Sequence, residues 1–218
     1  MPATWCGAGA RGQPIPESSW AVEVIFSRAL GHLYSIGHSN HPFERFVGLL
    51  SEHGIEVVVD VRSQPFSRYA CQYNKEQLER RLVEANVQYL FLGRELGGRP
   101  AAEVFYDAAG YVLYSKLARS ELFLRGLARV EEEAQRARVA LMCSEEDPRG
   151  CHRRLLIGRV LESRGIELLH IRGDGRLEPR SGLAAGEADQ TLLFGGEEEW
   201  RSERPVARRG ATPSLTRP

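Results

Sequence analysis

From residue 33 onward the apolar positions follow two rhythms, short unbroken runs and spaced helical faces. LYSIGHS, beginning at Leu33, is a run of the first kind and predicts a strand. Pro42 then stands at a good first helical position, and Phe43, Phe46, Val47 and Leu50 fall on one side of the helix it opens. EVVVDVRS (56–63) is short, β-branched and apolar without alternation, the pattern of a strand covered on both faces. It is expected near the centre of a sheet. KEQLERRLVEANV predicts a helix with Leu78, Leu82 and Ala85 inward, and QYLFLG (88–93) a third strand, closed by the turn Gly97-Gly98-Arg99-Pro100. A long helix follows from Ser120, a suitable N-cap, to about Arg138. The strand VALMCS, a helix over 152–164 and a last strand ELLHI complete the pattern.

Strands alternating with helices predict an α/β fold, because parallel neighbours need crossovers. The expectation is a single domain over 33–172, a mostly parallel sheet with helices on both faces in Rossmann-like or flavodoxin-like layering. Residues 1–19, rich in Gly, Ala and Pro, carry no apolar period. Residues 1–32 are therefore expected to be a largely flexible extension or an upstream-started reading frame. Residues 173–218 read as a mobile tail with no pattern able to add a core element. Only DQTLLF (189–194) and Trp200 interrupt its polarity.

With 218 residues, 42% of them hydrophobic, the chain can bury one sizeable core. Lys+Arg and Asp+Glu balance at 29 each, so no global charge draws it to nucleic acid or an anionic membrane. Four cysteines, at 6, 71, 143 and 151, are too few and scattered for a disulfide framework, which fits a reducing compartment. No apolar run approaches the roughly 20 residues of a membrane span, and WAVEVIFSRAL is broken by Glu23 and Arg28. A cytoplasmic protein without a membrane partner is expected.

In open parallel sheets ligands bind beyond the carboxyl ends of the strands. The first strand ends in Gly37, His38, Ser39 and Asn40, the second in Asp60, Arg62 and Ser63, the fourth in Cys143, Ser144 and Glu145, and the last in His170. Cys151 and His152 would open the following helix, where the dipole and Arg153 favour a Cys151 thiolate. The alternative is that Cys143 is a small buried strand residue and Cys151 an inert helix start. Asp60 and Arg62, two apart on one strand face, suit an ion pair that aims Arg62 at an anion, or a purely structural pair. Gly97 and Gly98 allow a ligand close to the backbone, or simply make a turn. Phe66, Tyr69, Tyr73 and Tyr89 are available to stack on a base, though most aromatics serve packing. No metal is implied outright: Cys143, Cys151, His152 and either His38 or His170 suit zinc or iron by type. Spacing argues against it, because adjacent helical Cys151 and His152 point about 100° apart. Cys143 to Arg149 satisfies the C-x5-R phosphate cradle, but Glu145, Glu146, Asp147 and Pro148 spoil it as an anion site.

The motifs YSIGHSN (34–40), DVRSQPFS (60–67), LGRELGGRP (92–100) and LMCSEEDPRGCHRRLL (141–156) together resemble the domain-of-unknown-function 488 family over about residues 33–172. The family's G-H-S, D-V-R, L-G-G and C-x-E-x-x-P-x-x-C-H-R map onto Gly37-His38-Ser39, Asp60-Val61-Arg62, Leu96-Gly97-Gly98 and Cys143 to Arg153. The resemblance implies a site without supplying its chemistry. In the tail, Gln190, Leu193 and Phe194 resemble the peptide by which bacterial DNA-metabolism proteins bind the sliding clamp, with a short segment docking on its own domain as the alternative.

The leading expectation is an enzyme, a hydrolase or transferase of nucleotide or nucleic-acid metabolism. Cys151 would be its nucleophile, Glu145 or His152 its acid and base, and Cys143 part of the same centre. Arg62 and Arg153 would bind charge, with Asp60 orienting Arg62 and His38, Ser39, Asn40, Gly97 and Gly98 contacting the ligand. The first rival is a thiol-redox or metal-binding protein using Cys143 and Cys151. The second is a non-catalytic adaptor holding the clamp through residues 190–194.

Overall fold

The computed structural model describes residues 33–179 and 200–206. It is the α/β fold that the alternation predicts. Strand β1 (Leu33–Gly37) leads to helix α1 (Phe43–Glu52), then β2 (Val57–Asp60), α2 (Lys75–Glu84) and β3 (Gln88–Phe91). After a long connection come α3 (Tyr114–Leu117), α4 (Glu121–Ala134) and β4 (Val139–Cys143). The chain closes through a π-helical turn (Arg153–Gly158), α5 (Arg159–Ser163), β5 (Leu168–Ile171) and β6 (Leu177–Pro179).

The six strands lie in the order β3-β2-β4-β1-β5-β6, all parallel except β6, which pairs antiparallel with β5. The predicted central strand, β2, is buried throughout, as are β1 and β4. Strand alternation divides the core into two layers. Tyr34, Ile36, Val58, Ala140 and Met142 meet Phe46, Leu49, Leu50, Leu78 and Leu82 of α1 and α2. Leu33, Val57, Val59, Val139 and Leu141 meet Phe123 and Leu127 of α4, with Leu155, Leu156 and Leu161 of the last helical segment. The connections leaving β1 and β2 thus cover one face, and those leaving β3 and β4 the other.

Several boundaries differ from the sequence expectation for identifiable reasons. Pro42 caps α1 instead of occupying its first turn. Ser120 caps α4 as predicted, its Oγ accepting from the Phe123 amide, but the helix stops at Ala134. The helix expected over 152–164 begins instead as a wide π turn. The chain beyond Gly173 does add to the fold. A tight turn, with the Arg172 amide donating to the Arg176 carbonyl, brings β6 back onto β5. Trp200 and Val206 pack on the core, and the Trp200 indole donates to the Leu155 carbonyl at 2.9 Å. Polar composition hid this segment, because one aromatic anchor and backbone bonds to 110–115 hold it. Among the described residues no helix is long and apolar enough to cross a membrane.

Candidate functional site

Strand β4 lies between β2 and β1, yet its chain departs to the opposite face. The crevice at such a reversal is where open α/β sheets place ligands. The loop after β4 folds tightly over the end of β1, with the His38 and Ser39 amides donating to the Cys143 and Ser144 carbonyls. Gly37 permits this, since a β-carbon there would collide with the Glu145 carbonyl oxygen.

Beneath that loop Cys143, at the end of β4, meets Cys151 and His152. His152 Nδ1 lies 3.8 Å from Cys143 Sγ and 3.7 Å from Cys151 Sγ, and its Nε2 lies 3.1 Å from the Val61 carbonyl oxygen. A carbonyl only accepts, so Nε2 carries the hydrogen and the Nδ1 lone pair faces the two sulfurs. Gly98 makes room for this ring: a β-carbon there would sit 2.8 Å from its Cγ.

Arg153, fully buried, lies below the sulfurs. Its Nε donates to Cys151 Sγ at 3.4 Å, Nη1 to Ser35 Oγ, and Nη2 to the Glu145 and Glu146 carbonyls. No carboxylate pairs with it among the described residues. His170 Nδ1 lies 2.6 Å from the same Ser35 Oγ.

The second network surrounds Arg62. Asp60 accepts from its Nε and Nη2, and from the Tyr89 hydroxyl. Nη2 also donates to the Tyr73 carbonyl, and Nη1 to His38 Nε2 at 3.0 Å. Four of the five guanidinium hydrogens are therefore engaged. His38 stacks on Tyr73 at 4.2 Å and is neutral, because burial first, and then the Arg62 charge, push it down to about 4.

Above both networks lies an open cleft of about 810 Å³. Cys143, Glu145 and His152 contribute to its floor, and Arg62, Gly98 and Tyr114 to its sides. Phe66, 71% exposed, stands at its edge, as do Arg99 and Arg204, whose guanidinium groups have no partner among the described residues. Residues 202–206 form one wall.

The Cys151 thiol donates to Cys143, and with the Arg153 charge this lowers the Cys143 thiol to about 7. Burial pushes Cys151 up to about 11. Partial burial and the adjacent Cys151 sulfur raise the Glu145 carboxyl above the usual glutamate value. Burial, and then the negative charge gathered at the two cysteines and Glu145, keep the Tyr114 phenol neutral.

Of the residues singled out in the sequence, Cys143, Cys151, His152, Glu145 and Arg153 converge, while Asp60, Arg62 and His38 form the adjoining network. Three expectations need correction. The lowered thiol is that of Cys143, which accepts from the Cys151 thiol, whereas burial and that same bond raise Cys151. The objection that Cys151 and His152 point apart fails, because Cys151 precedes the helix and His152 caps a π turn. His38, Ser39, Asn40, Asp60 and Gly97 do not line the cleft. Gly97 instead lets the chain close on Gly93 and Ser63. Asn40 is exposed elsewhere, and Arg149, the end of the C-x5-R match, pairs with Asp147. Gln190, Leu193 and Phe194 lie outside the described residues. Sequence reading missed Tyr114 and the 202–206 wall, and Trp200 was the one signal that could have found the latter.

No curated protein and no solved structure matches the chain. A family model described as domain of unknown function DUF488 matches residues 42–160, more than half of the chain, spanning Asp60 and Arg62, the glycine turn and the whole Cys143 to Arg153 motif, with His38 lying just before it. The chain belongs to the DUF488 family.

Proposed function

We propose that the chain is an enzyme, a hydrolase or transferase, acting in this cleft on an anionic, nucleotide-like ligand. The observation that carries the reading is the meeting of Cys143 Sγ, His152 and the Glu145 carboxyl at the floor of an open cleft at the sheet's switch point. The Cys143 thiol, the His152 imidazole and the Glu145 carboxyl sit where a ligand reaches them, beside the buried Arg153 cation. The ligand class follows from the mouth. Phe66 offers a bare ring for stacking, and Arg99 and Arg204 offer unengaged guanidinium groups for phosphate. Glu145, held toward its protonated form, suits an acid that gives a proton to a leaving group.

The test is titration calorimetry of the full chain with AMP, GMP, CMP, UMP, inorganic phosphate and a short single-stranded oligonucleotide, followed by chromatography of any product. Binding of a nucleotide that Phe66→Ala and Arg99→Ala each weaken about tenfold, with turnover lost in Glu145→Gln, is the expected result. Absence of binding across the set defeats the ligand assignment.

The contact between the two sulfurs favours a second reading, in which Cys143 and Cys151 close a disulfide on oxidation. Intact mass and thiol counting after treatment with oxidised glutathione decide it: loss of both thiols without an added glutathione supports the redox reading, and two persistent thiols oppose it.

A further inference from the structure

We propose that Cys143 Sγ, Cys151 Sγ and His152 Nδ1 bind one divalent transition-metal ion of the zinc class, with its fourth position open to the cleft. The three donor atoms lie within 4.8 Å of one another. A tetrahedral zinc with bonds of about 2.3 Å to sulfur and 2.05 Å to nitrogen separates those donors by about 3.6 Å. The observed 3.7 and 3.8 Å are within a few tenths of an ångström of this.

The surroundings point the same way independently. A metal-bound imidazole characteristically gives its other N–H to a carbonyl or carboxylate, which fixes its tautomer and orientation. His152 does so to Val61, leaving Nδ1 bare toward the sulfurs. Gly98 against the ring face leaves it little room to turn away. Charge also balances, because two thiolates offset a divalent ion. Thiolate and imidazole donors select zinc or a similar borderline ion over magnesium or calcium.

Among the described residues the donor set ends at three: no other histidine, cysteine or carboxylate joins the cluster, and His38 Nε2 already accepts from Arg62. Cys143 and His152 line the cleft, which gives the remaining position access to a ligand or water. Three protein ligands with an open position distinguish catalytic zinc from closed structural sites. One histidine and two cysteines, with a glutamate that is not a ligand, is also the donor set of zinc deaminases. For catalysis the inference rests on the enzyme reading above. An ion held by these three residues would supply an activated water or polarise a ligand atom at its open position on the cleft.

Metal uptake is tested without substrate. The full chain, stripped with chelator under reducing conditions and dialysed against zinc, is analysed by elemental mass spectrometry. The expected result is about one zinc per chain, with zinc protecting Cys143 and Cys151 from alkylation while exposed Cys71 still reacts. Cys143→Ser, Cys151→Ser and His152→Ala should each lose most of the bound zinc. Because these substitutions fall in the buried interior, wild-type thiol protection and the rise of its melting temperature with zinc serve as the decisive readouts. Less than about a tenth of an equivalent bound, with alkylation and melting unchanged by zinc, overturns the metal site. That outcome leaves the enzyme reading standing with Cys143 as nucleophile, whereas a zinc-loaded chain that binds none of the nucleotides overturns the ligand assignment alone.

Discussion

Gly98→Ala tests whether the His152 ring is the hinge of the site. A β-carbon at 98 would lie 2.8, 2.9 and 3.1 Å from Cγ, Cβ and Nδ1 of His152. Comfortable contacts begin near 3.5 Å, so the two must separate by about 0.4 to 0.7 Å. The crowded atoms are close to the His152 backbone and cannot escape by rotating a distal group. Either the loop carrying Gly98 backs away from Ser63, or the ring retreats, stretching the 3.1 Å bond to Val61 and parting Nδ1 from the sulfurs. Overpacking of this kind costs roughly 1–3 kcal/mol. For a domain of this size that lowers the melting temperature by roughly 3–10 °C. The loss at the site should be larger than the loss in the fold: removing a partner that orients a metal-bound imidazole typically weakens metal binding about 10- to 100-fold. The assay pairs thermal unfolding of the metal-free protein with a competitive zinc titration. A Gly98→Ala protein that binds zinc as tightly as wild type, at any stability, would show that His152 is not held by this contact and would refute the reasoning.

Other outcomes follow from the buried charges. Because His38 is held near pKa 4 in the fold against 6.5 in the unfolded chain, the unfolded chain binds more protons between these values and stability falls as pH drops from 6.5 towards 4. At about 1.4 kcal/mol per unit the full loss is about 3 kcal/mol, and in urea melts from pH 7 to 5 the slope should flatten in His38→Gln; equal slopes would contradict it. Arg153→Met leaves the Glu145 and Glu146 carbonyls short of a donor, with an expected cost of roughly 2–6 kcal/mol by denaturant midpoint; a shift under about 1 kcal/mol would show the cation to be dispensable. Trp200→Ala removes the anchor of the 202–206 wall and the bond to Leu155, for about 2 kcal/mol, and should weaken nucleotide binding while leaving zinc binding intact. Loss of zinc in that variant would mean that the wall supports the floor of the cleft.

The sheet was legible because β1, β2 and β4 are buried on both faces, so their sequences are unbroken apolar runs that only a central parallel strand explains. The site was half legible. Placing Cys143, Glu145, Asp60 and Arg62 at strand ends needed only the order of elements. Which sulfur carries charge depends on three-dimensional facts: the depth of Cys151, the direction of its hydrogen, and a π turn with no signature in RGCHRRLL. The far wall was illegible for a different reason. Residues 200–206 dock through backbone bonds to 110–115, and backbone pairing leaves little trace in a polar sequence.

Two of the buried guanidinium groups, those of Arg62 and Arg153, divide the labour of the cleft, and on the proposed reading this division constrains where ligand affinity would come from. Arg153 spends its donors on Cys151, Ser35 and the carbonyls of the loop after β4, so it shapes and charges the floor without reaching the ligand. Arg62 has one hydrogen left after Asp60, Tyr73 and His38 are satisfied, enough for a single directed bond but not for a bidentate grip on phosphate. The charge of an anionic ligand must therefore be met chiefly by Arg99 and Arg204, which are exposed and unengaged. These stand on separate segments, one on the glycine turn and one on the returning chain. A phosphate gripped by both would tie the returning segment to the glycine turn, so ligand binding should slow amide exchange at Ser202 and Arg204 as well as at the cleft floor.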